Sequence, residues 1–85
     1  GNPQPLLCSR NLKVKGTPIL MGKDTIKFWV SDGKLTVQVL GFGRADLLKQ
    51  LSRENTIDLV YSLSIDDWQE EHAVQLELKD VKKLD

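Results

Sequence analysis

Apolar and polar residues take turns along most of this chain, the period of a strand with one buried face. In residues 6–20 the alternation runs through Leu12, Lys13, Val14 and Lys15, and Gly16 and Pro18 interrupt it. This predicts a first strand that bends or bulges at the interruption. Met21-Gly22-Lys23-Asp24 has the composition of a turn. Ile26, Phe28 and Val30 then alternate with Lys27 and Trp29, predicting a second strand rich in β-formers. Ser31-Asp32-Gly33-Lys34 is a hairpin signal, because Asp-Gly readily takes the positive φ of a tight turn, and a third strand is expected over residues 35–42. Beyond Gly43 the period changes: Leu47, Leu48 and Leu51 fall at helical intervals, so a short helix is expected over residues 44–51. Ile57, Leu59, Tyr61, Leu63 and Ile65 restore the period of two and predict a fourth strand. An acidic, turn-like connection around Trp68 leads to a fifth, in which Val74, Leu76 and Leu78 alternate with Gln75, Glu77 and Lys79.

Five strands with one helix between the third and fourth predict an all-β chain folded as a five-stranded OB-fold barrel, since a small sheet protein escapes exposed edges best by closing on itself. Strands one and five are those whose edges could otherwise pair between copies. Phe42, at the end of strand three, is expected to pack against the helix as part of the core. Residues 1–5, Gly-Asn-Pro-Gln-Pro, do not start a helix comfortably. They read as the end of a linker, with residues 6–85 as the domain.

Eighty-five residues support a single core. Twelve Lys and Arg against twelve Asp and Glu leave no net charge, which excludes a globally cationic nucleic-acid binder. The balance is uneven, however. Residues 1–50 hold eight basic and three acidic side chains, and residues 51–85 four and nine, a split of +5 against −5 that suggests opposed patches. The lone Cys8 forms no internal disulfide, which points to a reducing cytoplasm. No stretch reaches the roughly 18 apolar residues of a membrane span, so no membrane association is expected.

Catalytic chemistry finds little support. One His and one Cys, far apart, do not make a metal site, and Asp66, Asp67, Glu70 and Glu71 lack the spacing of a calcium loop. Residues 16–23 carry five residues between the glycines where a phosphate loop needs four, followed by Asp24 instead of Ser or Thr. His72 has no nucleophile context. No catalytic residue, metal ligand or cofactor is assigned to this chain.

Binding chemistry is better represented. In an OB-fold, strands two and three and the loops joining strands one to two and four to five border a groove for single strands or sugars. Lys27 and Trp29 share the face of strand two opposite Ile26, Phe28 and Val30, so a base can stack on Trp29 while Lys27 meets a phosphate. Trp29 serves equally as a cap on the barrel, and both readings stay open. Lys13, Lys15, Lys23 and Lys34 stand where cations can follow a phosphate backbone, or are ordinary solubilising lysines. Arg44 either reaches phosphate or pairs with Asp46. Trp68 stacks a base or anchors its loop.

Four segments resemble the C-terminal OB domain of the RecJ-type single-stranded-DNA-specific exonucleases of bacteria. Gly1-Asn2-Pro3-Gln4-Pro5 with Leu6-Leu7 is similar to the segment that joins the nuclease core to that domain. Met21-Gly22-Lys23-Asp24 with Ile26-Lys27-Phe28 looks like the family's Gly-Lys-Asp turn into strand two. Val39-Leu40-Gly41-Phe42-Gly43 resembles its end of strand three. Ile65-Asp66-Asp67-Trp68 before Val74-Gln75-Leu76 is similar to its Asn-x-Trp-Asn-Gly turn and Gln-Leu, departing from it at Asp66 and Gln69-Glu70.

The resemblance implies a parent enzyme that degrades single-stranded DNA from its 5′ end with two divalent metals, usually manganese or magnesium, held by Asp and His motifs of a core absent from these residues. This chain is then expected to bind the single-stranded DNA and steer it, in contact with its own nuclease core and with a single-strand-binding protein as a further possible partner. The alternative is an interaction or scaffold module that packs on the nuclease core or on such a partner. An OB domain of an RNA-handling enzyme is a third reading.

Overall fold

The computed structural model describes residues 5–66 and 73–84, without the side chains of residues 64–66 and 73. Five strands, β1 (Leu7–Met21), β2 (Thr25–Ser31), β3 (Thr36–Gly41), β4 (Thr56–Asp66) and β5 (Ala73–Lys83), close into a barrel in the order β1-β2-β3-β5-β4, with α1 (Leu47–Gln50) between β3 and β4. All neighbours are antiparallel except β3 and β5, which run parallel over Gln38–Gln75, Val39–Leu76 and Leu40–Glu77. Closure gives β1 and β5 a partner on each side, so the edges that sequence leaves open between copies are already used within the barrel.

The register of β1 against β2 shifts between Lys15 and Ile19, at the Gly16 and Pro18 interruption. That bulge lets one strand curve enough to bond β2 with its second half and β4 with its first. Inward positions follow the period of two. Val14, Ile26, Phe28, Val39, Ile57 and Leu59 are wholly buried, and Leu76 and Leu78 of β5 nearly so. Gly41 takes an inward position beside them, where a Cβ would stand 2.9 Å from Ile26 Cγ2 and 3.0 Å from Leu78 Cδ2. Only glycine lets β3 come this close.

The β2–β3 hairpin forms as its residues dictate. Gly33 sits at φ 101°, Asp32 Oδ1 accepts the backbone N–H groups of Lys34 (2.8 Å) and Leu35 (2.9 Å), and Ser31 Oγ accepts that of Gly33 (3.0 Å). Those bonds to the ionised carboxylate, first from Leu35 and then from Lys34, hold the Asp32 carboxyl below the usual Asp range.

Two expectations are corrected. The helix is one turn, not residues 44–51: Leu47 and Leu51 are buried, but Leu48 is exposed. Phe42 is not core. It is 59% exposed, because alternation along β3 sends it outward after the inward Gly41, and a single helical turn that packs against β1 is too short to cover it. Strand five is also longer than its alternation suggested, continuing to Lys83 against Ile57 of β4.

Candidate functional site

The outward face of β2 presents Lys27 and Trp29, both half-buried, opposite the buried Ile26, Phe28 and Val30. Register extends each into a row across the sheet, since directly opposed residues share a face. Lys15, Trp29, Gln38 and Gln75 form one row; Ile19, Lys27, Leu40 and Glu77 form the next. Two residues of strand separate the rows by about 7 Å, and neighbouring members of a row stand about 5 Å apart at the backbone. Trp29 is thus ringed by two cations, an amide and aliphatic side chains.

Within this face each polar side chain already makes one contact. Lys27 Nζ lies 5.1 Å from the centroid of the Trp29 ring, a cation–π contact worth about 0.5–1 kcal/mol at an exposed site. A flat ligand therefore takes the other face of the indole or displaces the ammonium. Lys15 Nζ sits 3.4 Å from Glu54 Oε1, with the two side chains 44% and 51% exposed. Such a pair contributes little and exchanges readily for another anion. Gln38 Nε2 donates to Gln75 Oε1 at 3.0 Å, joining β3 to β5 beside Trp29. Glu77, at the far end of the second row, is paired with Lys79 at 3.1 Å.

Of the residues singled out from sequence, Lys15, Lys27 and Trp29 come together, and Lys13 lies one row away, opposite Ser31. Lys23 and Lys34 do not join them. Lys23 is in the β1–β2 turn and Lys34 in the β2–β3 hairpin, at opposite ends of a strand about 20 Å long. Only a ligand laid along the strands can reach both. Arg44 is at the Lys23 end, near Gly41, and is held by Asp46: Nε donates to Oδ1 at 3.2 Å and Nη2 to Oδ2 at 3.5 Å. Trp68 and His72 lie outside the described residues.

Sequence reasoning passed over Ile19, Leu40, Gln38 and Gln75. Alternation on β3 marks Gln38 and Leu40 as outward, but Ile19 needs the shift at the bulge and Gln75 needs the parallel crossover pairing. At the turn end of the face, Ile19, Met21 and Phe42 are between 44% and 59% exposed and make an apolar rim, with the exposed Leu20 on the other side of β1.

The barrel order divides the charge less sharply than the sequence does. Of the eight basic side chains of residues 1–50, Arg10, Lys13, Lys15 and Lys27 fall on the adjacent strands β1 and β2, while Lys23 and Lys34 are in turns and Arg44 and Lys49 lie beyond β3. The acidic half makes no single face: four of its nine acids fall at residues 66–71, and β4 and β5 show Asp58, Glu77 and Asp80 among Lys79, Lys82 and Lys83. A shallow depression between β4 and β5, lined by Asp58, Val60, Asp80, Val81 and Lys82, carries two carboxylates and does not suit a phosphate. Among the described residues no three His, Cys, Asp or Glu side chains converge as a metal site would require. No helix among them is long and apolar enough to cross a membrane.

A closed five-stranded barrel with a helix between its third and fourth strands defines an OB-fold. Over residues 1–80 the sequence matches the RecJ OB domain, and the chain belongs to that family. Among solved structures, the barrel is similar to the SSB domain of a Synechococcus sp. protein, with a TM-score of 0.77 at 17% identity over 95% of this chain and 96% of that one. It is also similar to a small single-stranded DNA-binding protein from Streptomyces coelicolor, with a TM-score of 0.75 at 9% identity over 98% and 95%. A putative aspartyl-tRNA synthetase from Leishmania major shares the fold more loosely, with a TM-score of 0.63 at 13% identity over 94% of this chain and 17% of the synthetase. At these identities the likeness is one of fold. No curated protein matches the chain in sequence.

Proposed function

We propose that this RecJ OB domain binds single-stranded DNA across the outer face of β1, β2 and β3 and guides it to the core of a RecJ-like 5′-to-3′ exonuclease. The observation that carries the reading is the Trp29 row: an aromatic ring on a barrel's outer face, flanked in register by Lys15 and along the strand by Lys27. A base stacked on the indole gains about 1–3 kcal/mol. The displaced Lys27 ammonium and the loosely paired Lys15 then meet its phosphates. The family itself, and two barrels of the same fold described as an SSB domain and a single-stranded DNA-binding protein, support the choice of ligand.

In this reading the chain does no chemistry. Manganese or magnesium belongs to the nuclease core, residues 1–5 lead from that core, a single-strand-binding protein is a further partner, and Cys8 stays a thiol in the cytoplasm. The apolar rim of Ile19, Met21 and Phe42 favours a second reading, a docking module for the core or a partner protein.

Fluorescence anisotropy with labelled single-stranded DNA, duplex and RNA at low and moderate salt separates the two. DNA binding predicts salt-sensitive affinity for the single strand that falls about 5- to 150-fold in Trp29→Ala, the range set by one lost stacked base. No binding at low salt overturns it and leaves the docking module.

A further inference from the structure

A Gln38–Gln75 pair is set beside the Trp29 ring on the barrel surface. Gln38 is directly opposite Trp29 on one side and Gln75 on the other, and both amides are half-buried. A pair placed only to fasten β3 to β5 satisfies itself best as a cyclic dimer, each amide donating to the other. Only one of those two bonds is made, from Gln38 Nε2 to Gln75 Oε1. Among the described residues, Gln38 Oε1 and both N–H groups of Gln75 Nε2 are left with no protein partner. An acceptor is thus open on the strand next to the indole and a donor on the strand beyond it.

Resting on the reading above, we infer that Gln38 and Gln75 together read the pairing edge of a nucleobase stacked on Trp29. Every base carries a hydrogen-bond donor next to an acceptor on that edge, and the edge is free only in an unpaired strand. The ligand of the site is therefore the bases of a single strand and not phosphate charge alone. In a duplex the same edge is spent on the partner base. Stacking on Trp29 supplies affinity, and the amide pair supplies the requirement that a base be present with its edge open. Both amides lie on the same row as the ring, with Gln38 next to it, so a base lying on the indole has Gln38 within reach of its rim.

The test is anisotropy with two labelled 12-nucleotide probes, one a normal single strand and one a deoxyribose-phosphate strand without bases. Gln38→Leu and Gln75→Leu remove the amides, with thermal melting to check that each variant is folded; Gln38→Met serves if the leucine variant does not fold. Each variant is expected to weaken binding of the normal strand about fivefold or more, and to leave the weaker binding of the baseless strand unchanged. Equal weakening of both probes, or of neither, overturns the inference and leaves the pair a fastening between strands. If the unmodified domain binds no single strand, or Trp29→Ala changes nothing, the DNA-binding reading itself fails and takes this inference with it.

Discussion

Single residues in this domain are judged by which way alternation turns them. Phe28 and Phe42 are the two phenylalanines, one wholly buried and one 59% exposed. Phe28→Ala should cost about 3–5 kcal/mol, a large share of the stability of so small a domain. Phe42→Ser should change stability by less than about 0.5 kcal/mol, which chemical denaturation of the two variants would show side by side. A large loss in Phe42→Ser would mean that the side chain is covered after all. Asp32 allows a test by pH. Its carboxyl is held below the usual range in the folded state, so the unfolded chain takes up the proton first as pH falls. Its stabilising contribution is complete above the ordinary carboxylate range and is lost as the pH drops below about 4. Melting temperatures of wild type and Asp32→Asn should therefore differ at pH 7 and converge toward pH 2; a constant difference would show that the charge plays no part.

At the level of elements, the barrel is closed by the parallel contact of β3 with β5, and Gly41 controls how near they come. Gly41→Ala places a methyl group 2.9 Å from Ile26 Cγ2 and 3.0 Å from Leu78 Cδ2. Overpacking of this kind costs about 1–3 kcal/mol, or about 4–8 °C of melting temperature for each kcal/mol in a domain of this size. An unchanged melting curve would mean that β3 can move away without loss. The same elements explain why β1 is the longest strand. Its bulge lets one strand serve two neighbours, and without the bend at Gly16 and Pro18 the sheet would stay open between β1 and β4.

The whole molecule has no net charge, yet places its basic strands side by side, so its affinity for a polyanion should be modest and steeply dependent on salt. Each phosphate neutralised on a single strand adds about −0.7 to the slope of log affinity against log salt. Lys15→Ala and Lys27→Met should each lower that slope by about 0.7. Lys34→Ala should do so only if the strand runs the length of β2 to the hairpin, so the three variants measured together trace the path. If none changes the slope, the basic face is not where the strand lies.

Much of this was legible in the order of residues. Alternation located five strands, the Asp-Gly pair located the hairpin, and the placing of Lys27 and Trp29 on one outward face followed from parity alone, because a strand's side chains have a period of two whatever surrounds it. The helix stands where it is expected, but its extent and the exposure of Phe42 differ for a shared reason: whether a turn of helix continues, and what it covers, depends on the surface it meets and not on the spacing of Leu47, Leu48 and Leu51. What only the tertiary structure decided is neighbourhood. Register past a bulge put Ile19 beside Lys27, and a parallel crossing brought Gln75, thirty-seven residues away, to within a hydrogen bond of Gln38. Closure then set β1 and β2, which carry Lys13, Lys15 and Lys27, side by side between β4 and β3. Local periodicity says which face a residue takes, but pairing between distant strands is set by the closing of the barrel and the packing of its core.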